Sequence, residues 1–361
     1  MRKSLFVLLT GVLTSCGSVN YFQIETYNPS EVTFPKTVNE ILVVNHSVPQ
    51  PANAGYRSQV LGEEEKAVHA EADSALYDAC RSLGEAMMRS SFFSDVLIYN
   101  DTLRTDSLYY SDQKMTEEET RRVCERTGAD AVVALDRLIF RMDRDVVPFS
   151  GSYFMGKINV RMRGVFRAYL PDRNQPLATV LVEDSVQFIE SAESLRILND
   201  YLPEPEEALR VSARYLGTKV SENFVPHWTQ EDRWYYTSMS ARWKEASAYA
   251  SKGDWESAGQ RWLSLYEKAK PGVRQAKLAS NLALAAEMRG EFVKALEWAT
   301  KSREAFVKAL GEEADESKLL LLYEKALGER VNANRKLNAQ FGGGIGTAFS
   351  NYYYFWKPKQ E

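Results

Sequence analysis

The first apolar stretch of the chain is short. Leu5-Phe6-Val7-Leu8-Leu9 follows Arg2 and Lys3, and the segment closes on Leu13-Thr14-Ser15-Cys16-Gly17. A helix needs about 20 apolar residues to cross a ~30 Å hydrocarbon core, so this run is not a span. A basic start, a short apolar middle and small residues at the end predict an export signal over 1–15. Residues 16–36 are polar and carry Asn28-Pro29-Ser30 and Phe34-Pro35, which predicts an extended tether. Glu40-Ile41-Leu42-Val43-Val44-Asn45 then reads as a buried strand, and a loop rich in Pro, Asn and Gly occupies 47–62. From Glu63 to about Arg89 the apolar residues Ala72, Leu76, Ala79, Cys80, Leu83 and Met87 recur at helical steps, and Ser94–Tyr99 predicts a second strand.

Thr116-Glu117-Glu118-Glu119 is a capping-box start, in which the Thr116 hydroxyl and the Glu119 carboxylate satisfy amides at a helix N-terminus. That helix is expected to end at Gly128. A third strand begins at Ala129 and extends toward Met142. Residues 157–170 alternate: Ile158, Val160, Met162, Phe166 and Ala168 point one way, and Lys157, Arg161, Arg163 and Arg167 the other. The turn Pro171–Pro176 sends Leu177 to about Ile189 back as a hairpin partner, and a helical stretch broken near Pro203 and Pro205 runs to about Phe224. The order β-α-β-α-β-β-β-α predicts an α+β domain over 37–228, an antiparallel meander covered by helices.

After Trp228 the strand pattern stops and helices are expected over 229–340. Lys252-Gly253-Asp254-Trp255-Glu256-Ser257-Ala258 returns 37 residues later as Arg289-Gly290-Glu291-Phe292-Val293-Lys294-Ala295. Glycine lets the chain reverse, Ala258 and Ala295 permit close helix crossing, and Trp255, Phe292 and Trp262 fill the space between helices. Residues 341–361 form a Gly-rich spacer and an aromatic tail. Gly342-Gly343-Gly344-Ile345-Gly346 follows a helix, whereas phosphate cradles follow a strand. The tail Phe349–Pro358 is expected either to dock in a groove of the protein or to lie at a membrane interface, docking being preferred.

Four resemblances attach to these residues. Cys16 after Leu-Thr-Ser resembles the lipobox of bacterial lipoproteins, which implies acyl chains on Cys16 as the first mature residue. The 37-residue repeat resembles tetratricopeptide helix pairs, with Ala299 in place of the bulky residue at Trp262. The helix followed by Gly-Ala-Asp-Ala-Val-Val resembles the periplasmic domains of TolB, CsgG and LpoB. Asp101-Thr102-Leu103 and Asp106-Ser107-Leu108 resemble the O-glycosylation motif of exported Bacteroidetes proteins, which implicates Thr102 and Ser107. Together these look like a Bacteroidales-type lipoprotein.

The formal charge of −4 becomes −6 once Arg2 and Lys3 are removed, which leaves no basic footprint for nucleic acid. Three histidines and no short ligand spacing indicate no metal and no cofactor. No nucleophile elbow or His-Glu-x-x-His stretch marks a catalytic residue. Cys80 and Cys124 remain after acylation, either as a disulfide between packed helices or as two buried thiols, the second being preferred. The row Lys157, Arg161, Arg163 and Arg167 is the candidate binding face. Its plainer reading is a solvated sheet surface with cross-strand pairs such as Glu183. The expected function is a non-enzymatic binding or scaffolding module: an outer-membrane lipoprotein facing the periplasm, held by its acyl chains, with a protein partner in the envelope. The competing expectation is an envelope hydrolase of glycans or peptides with its site in an interdomain cleft.

Overall fold

A computed structural model describes residues 19–65, 69–101 and 103–341. Cys16, Thr102, the Gly342–Gly346 spacer and the aromatic tail lie outside the described residues. The chain divides into two compact units, Pro29–His227 and a second made of Met1–Asn28 with Trp228–Glu361. The first strand, β1 (Val19–Asn28), belongs to the second unit.

The first unit is built on a long central strand. Two shorter strands share one of its edges: β2 (Glu40–Asn45) and β3 (Tyr56–Val60), the latter flanked by β4 (Glu63–Glu64). β5 (Asp95–Ile98) pairs in parallel with β2 on its far side. The central strand, β6 (Ala131–Pro148), pairs in parallel with β2 along its first half and with β3 along its second. Its other edge carries β7 (Phe154–Tyr169) and then β8 (Ala178–Ala192), both antiparallel. The unit is α+β, but the sheet is mixed, and only β6, β7 and β8 form the expected meander. Ile41–Val44 and Ala131–Leu135 are buried on both sides, as parallel strands are, so they read as unbroken apolar runs with no alternation to give direction. The strand β3 inside the expected loop, and the start of the first helix at Asp73 rather than Glu63, are further corrections.

One face of the sheet is covered by α1 (Asp73–Arg89), α3 (Leu195–Tyr201) and α4 (Pro205–Val220). Leu76 and Leu83 from α1 and Leu209 and Leu216 from α4 bury against Val43, Val133, Phe140, Val160 and Phe166. The two long helices cross closely at Gly217, where a Cβ would stand 2.1 Å from the Ala79 carbonyl oxygen. Among the described residues of this unit, the helix on the opposite face covers only its β2 end. There α2 (Glu117–Thr127), held by the Thr116–Glu119 capping box and ended by Gly128 at φ +82°, packs Val123 and Cys124 on Leu42, Val44, Val132, Ala134 and Tyr169. Cys80 and Cys124 are free, buried in clusters on opposite faces of the sheet, so no disulfide joins them.

In the second unit, β1 pairs with β9 (His227–Tyr236), and five helices follow. These are α5 (Ala241–Ala250), α6 (Trp255–Glu267), α7 (Val273–Met288), α8 (Phe292–Leu310) and α9 (Asp315–Gln340). Two expectations are corrected here. Residues 19–28 of the expected tether are a strand, and the helical region opens with another. Both hide their strand character because their inward rows mix polar with apolar residues: Thr26 follows Ile24 on β1 and Arg233 precedes Tyr235 on β9, and all four are buried. The pairs Asn20–Tyr235 and Thr26–Thr229, bonded at 2.7 and 3.0 Å, show that the strands run in opposite senses. Ile24, Tyr235, Trp243, Trp262, Phe306, Leu320 and Leu327 share one core.

Candidate binding face and the buried cluster at its edge

Beyond α2, the sheet face opposite α1 and α4 is covered by no described element of its own unit. The register fixes what it presents. Across β6, β7 and β8 the rows read Ile139–Arg163–Glu183, then Arg141–Arg161–Ser185, then Asp143–Asn159–Gln187, then Asp145–Lys157–Ile189. On the β3 edge, Arg57 pairs with Asp143 and Gln59 with Asp145. Two cavities of about 390 and 380 Å³ open on this face. Arg57, Lys157 and Arg161 line the first with Asp143 and Asp145; Arg137, Arg141, Arg161 and Arg163 line the second with Glu183. Three of these cations have a carboxylate partner across strands: Arg161 pairs with Asp143, Arg163 with Glu183 at 2.9 Å and Arg57 with Glu64 at 4.0 Å. Arg137, Arg141 and Lys157 have no carboxylate within salt-bridge distance among the described residues, so the face carries net positive charge.

Arg167 does not belong to that exposed row. Its guanidinium is buried and donates to Asp136 at 2.6 Å, to Asp112 at 2.8 Å and to Thr179 at 3.2 Å. The cause is a register break: β6 carries one extra residue between Leu135 and Arg137, a bulge that places Asp136 in the interior beside Arg167. Asp136 is fully buried and also accepts from the Tyr169 hydroxyl at 2.5 Å and meets His46 Nδ1 at 3.1 Å. Desolvation pulls the Arg167 guanidinium down, but its bonds to Asp112 and Asp136 outweigh that and hold its pKa above the usual value. Burial, then the Asp136 charge, pushes the Tyr169 phenol up, and Arg167 holds the Asp112 carboxyl down. The Tyr169 oxygen accepts from the Met115 amide, and Arg137 donates to the Tyr110 carbonyl. The cluster therefore pins the 103–116 segment to the rim of the open face. Asp136, Arg167, Tyr169, His46 and Asp112 line neither cavity on that face, whereas Tyr110 and Arg137 line the second.

Sequence reasoning passed over His46 and Asp136 because neither stands in a recognisable spacing. They lie 90 residues apart and meet only through the parallel pairing of β2 with β6. Ser107 is exposed in a bend held by Asp106, whose carboxylate takes the Arg104 guanidinium and the Leu108 amide. Among the described residues, no group of three or more His, Cys, Asp or Glu could hold a metal, and no helix is long and apolar enough to cross a membrane.

In the second unit, Gly253 and Gly290 take φ +78° and +74° between α5 and α6 and between α7 and α8. Trp255, Ala258, Trp262, Phe292 and Ala295 are all buried. The two strands are tied to α7 and α9 by a second ionic cluster. Arg233 donates to Glu287 at 2.7 Å and to Glu231 at 2.5 Å, and Tyr323 donates to Glu287 at 2.6 Å. Thr26 donates to Glu231 at 2.9 Å, and Asn281 on α7 bonds both the amide and the carbonyl of Tyr236 at 2.8 Å.

The family model Domain of unknown function (DUF8603) matches residues 38–236, more than half of the chain. The chain belongs to this family. A second model, Domain of unknown function (DUF6340), matches residues 244–329. The two matches divide the DUF8603 chain close to where the sheet unit ends and the helices begin. No curated protein matches. Among solved structures, the chain is similar to the PelC dodecamer from Paraburkholderia phytofirmans, with 11% identity over 57% of this chain and 96% of that one (TM-score 0.24). It is also similar to a minor lipoprotein from Acinetobacter baumannii, with 10% identity over 52% and 93% (TM-score 0.23). A third is the hypothetical protein CT253 from Chlamydia trachomatis, with 9% identity over 51% and 96% (TM-score 0.23). At these scores the likenesses support no argument about function.

Proposed function

We propose that this chain is a lipid-anchored outer-membrane lipoprotein, facing the periplasm, that works as a non-enzymatic binding and scaffolding module. The observation that carries the binding role is the half-covered sheet. An exposed face fixed by three long strands presents Arg137, Arg141 and Lys157 without carboxylate partners, beside two cavities. A rigid surface of that charge fits an acidic protein surface, because complementary charge raises encounter rate and sets register. The anchor rests on the sequence around Cys16, where several acyl chains at about 0.8 kcal/mol per buried methylene hold a protein at a membrane. The helical unit supports the tetratricopeptide-like reading through its paired helices, its left-handed turn glycines and the buried Trp255/Phe292 and Ala258/Ala295 pairs.

Titration of the detergent-solubilised full chain with poly-L-glutamate tests the face. Binding is expected to weaken with salt, and the R141E/K157E variant is expected to lose at least about tenfold in affinity, 1.4 kcal/mol. Equal binding by that variant would remove the face from consideration. Cys16→Ser, followed by salt-washed membrane fractionation, tests the anchor. A variant that still sediments with membranes defeats the lipoprotein reading.

A further inference from the structure

The second unit carries a separate cationic cavity of about 720 Å³, lined by Ser240, Ala241, Arg242 and the segment Lys268–Arg274 with Leu265. Its charged lining is Arg242, Lys268, Lys270 and Arg274, and no carboxylate lines it. None of the four is within salt-bridge distance of a carboxylate among the described residues. Arg274 has its guanidinium over the Trp243 ring, 5.9 Å from the centroid, which fixes the direction of its side chain without neutralising it. Trp243 is itself buried and donates to the Tyr236 carbonyl at 2.8 Å, so that ring is a rigid platform. Four like charges around one hollow repel each other, and a chain of net negative charge has carboxylates to spare for pairing them. They are left unpaired here.

We infer that this cavity binds a phosphate-bearing ligand. The number of cations argues against a lone carboxylate, which brings one charge to four. A phosphate brings between one and a half and two charges near neutral pH, and three acceptor oxygens. The planar forks of Arg242 and Arg274 match two oxygens at once, while Lys268 and Lys270 act as point charges. The volume suits a small molecule or a headgroup, within the range of about 300–1,000 Å³ for ligand pockets. Both helix N-termini that border the cavity, α5 at Ser240 and α7 at Gly272, lack a side-chain cap and a first-turn acid, so their free amides add to the same field.

Isothermal titration calorimetry of the full chain in uncharged detergent micelles, with pyrophosphate as the soluble probe, tests the inference. A second arm uses the same micelles doped with phosphatidic acid against phosphatidylcholine. Binding in either arm is expected to fall at least about tenfold in K268A/K270A and in R274Q. R141E/K157E, altered only on the sheet face, is expected to bind as the parent does. Far-UV circular dichroism confirms that each variant is folded, and R242Q provides an independent variant outside the α6–α7 turn. Binding in the first arm identifies a free phosphate compound, and binding in the second alone identifies a lipid headgroup. No heat in either arm, or binding that K268A/K270A and R242Q leave unchanged, overturns the inference.

Discussion

Asp136→Asn isolates the worth of one buried charge. The amide keeps the shape of the carboxylate, and its oxygen still accepts from Arg167 and Tyr169. Its NH2 faces His46 Nδ1, which accepts in one tautomer. Packing and hydrogen-bond count are therefore retained, and only the negative charge is lost. It is lost where that matters most: the Arg167 side chain is 4% exposed and 2.6 Å away, and its remaining counter-ion, Asp112, is 43% exposed. Breaking a buried ion pair by removing one partner costs about 3–5 kcal/mol. With Asp112 still in place, the lower end applies, about 3 kcal/mol. Asp136→Asn/Arg167→Met removes the stranded guanidinium too, and is expected to be less destabilised than the sum of the two single variants by at least about 1 kcal/mol. Every tryptophan lies at Trp228 or later, in the second unit, so tryptophan fluorescence follows that unit while far-UV circular dichroism follows both. Urea unfolding is expected to move the circular-dichroism midpoint with an unchanged slope. A loss below about 1 kcal/mol, or strict additivity in the double variant, would refute the account of Asp136 as the counter-charge that buries Arg167.

Trp262→Ala removes a fully buried ring that packs 5.8 Å from Tyr235, and is expected to cost about 3–5 kcal/mol, read from the tryptophan-fluorescence transition. A loss under about 1 kcal/mol would place Trp262 outside the core of the second unit. Acidification is the next test. Burial pushes the Glu231 carboxyl up, but Arg233, Thr26 and Arg330 outweigh it and hold its pKa below the ordinary 4.5. The native state then binds fewer protons than the unfolded one, so Glu231 stabilises in full above 4.5 and that stabilisation is lost as pH falls through the depressed value. Glu231→Gln is expected to flatten the pH dependence of the second unit's urea midpoint below 4.5, and an unchanged slope would rule the linkage out.

What was legible in the sequence follows the physics of each element. α2 was readable because its start and stop are local chemistry: the Thr116–Glu119 box and the left-handed Gly128 need no tertiary context. The alternation of β7 was readable as far as Arg163, since one side faces helices and the other solvent. It misled at Arg167 because an extra residue in the neighbouring strand, invisible in β7 itself, carries a carboxylate inward to meet it. The direction of β2 and β6 was not readable, since strands buried on both faces present no alternation. The repeat glycines and the buried residues that follow them were readable by their 37-residue spacing.

The two strands that sequence reasoning missed explain how a short helical array finds enough burial. Two degenerate helix pairs fall below the three or so repeats that a solenoid normally stacks to bury its core. Leu320, Tyr323 and Leu327 of α9 supply part of the missing burial. The remainder comes from β1 and β9, whose Ile24, Tyr235 and Tyr236 enter the same core. A two-stranded ribbon alone is marginal in water, so it gains stability only by being fastened to the helices. Arg233 and Asn281 do that fastening. The guanidinium spans Glu231 on the ribbon and Glu287 on α7, and the Asn281 amide closes both backbone groups of Tyr236. Polar residues at inward positions therefore erase the strand signal from the sequence and, for the same reason, give the ribbon one specific seat on the helices.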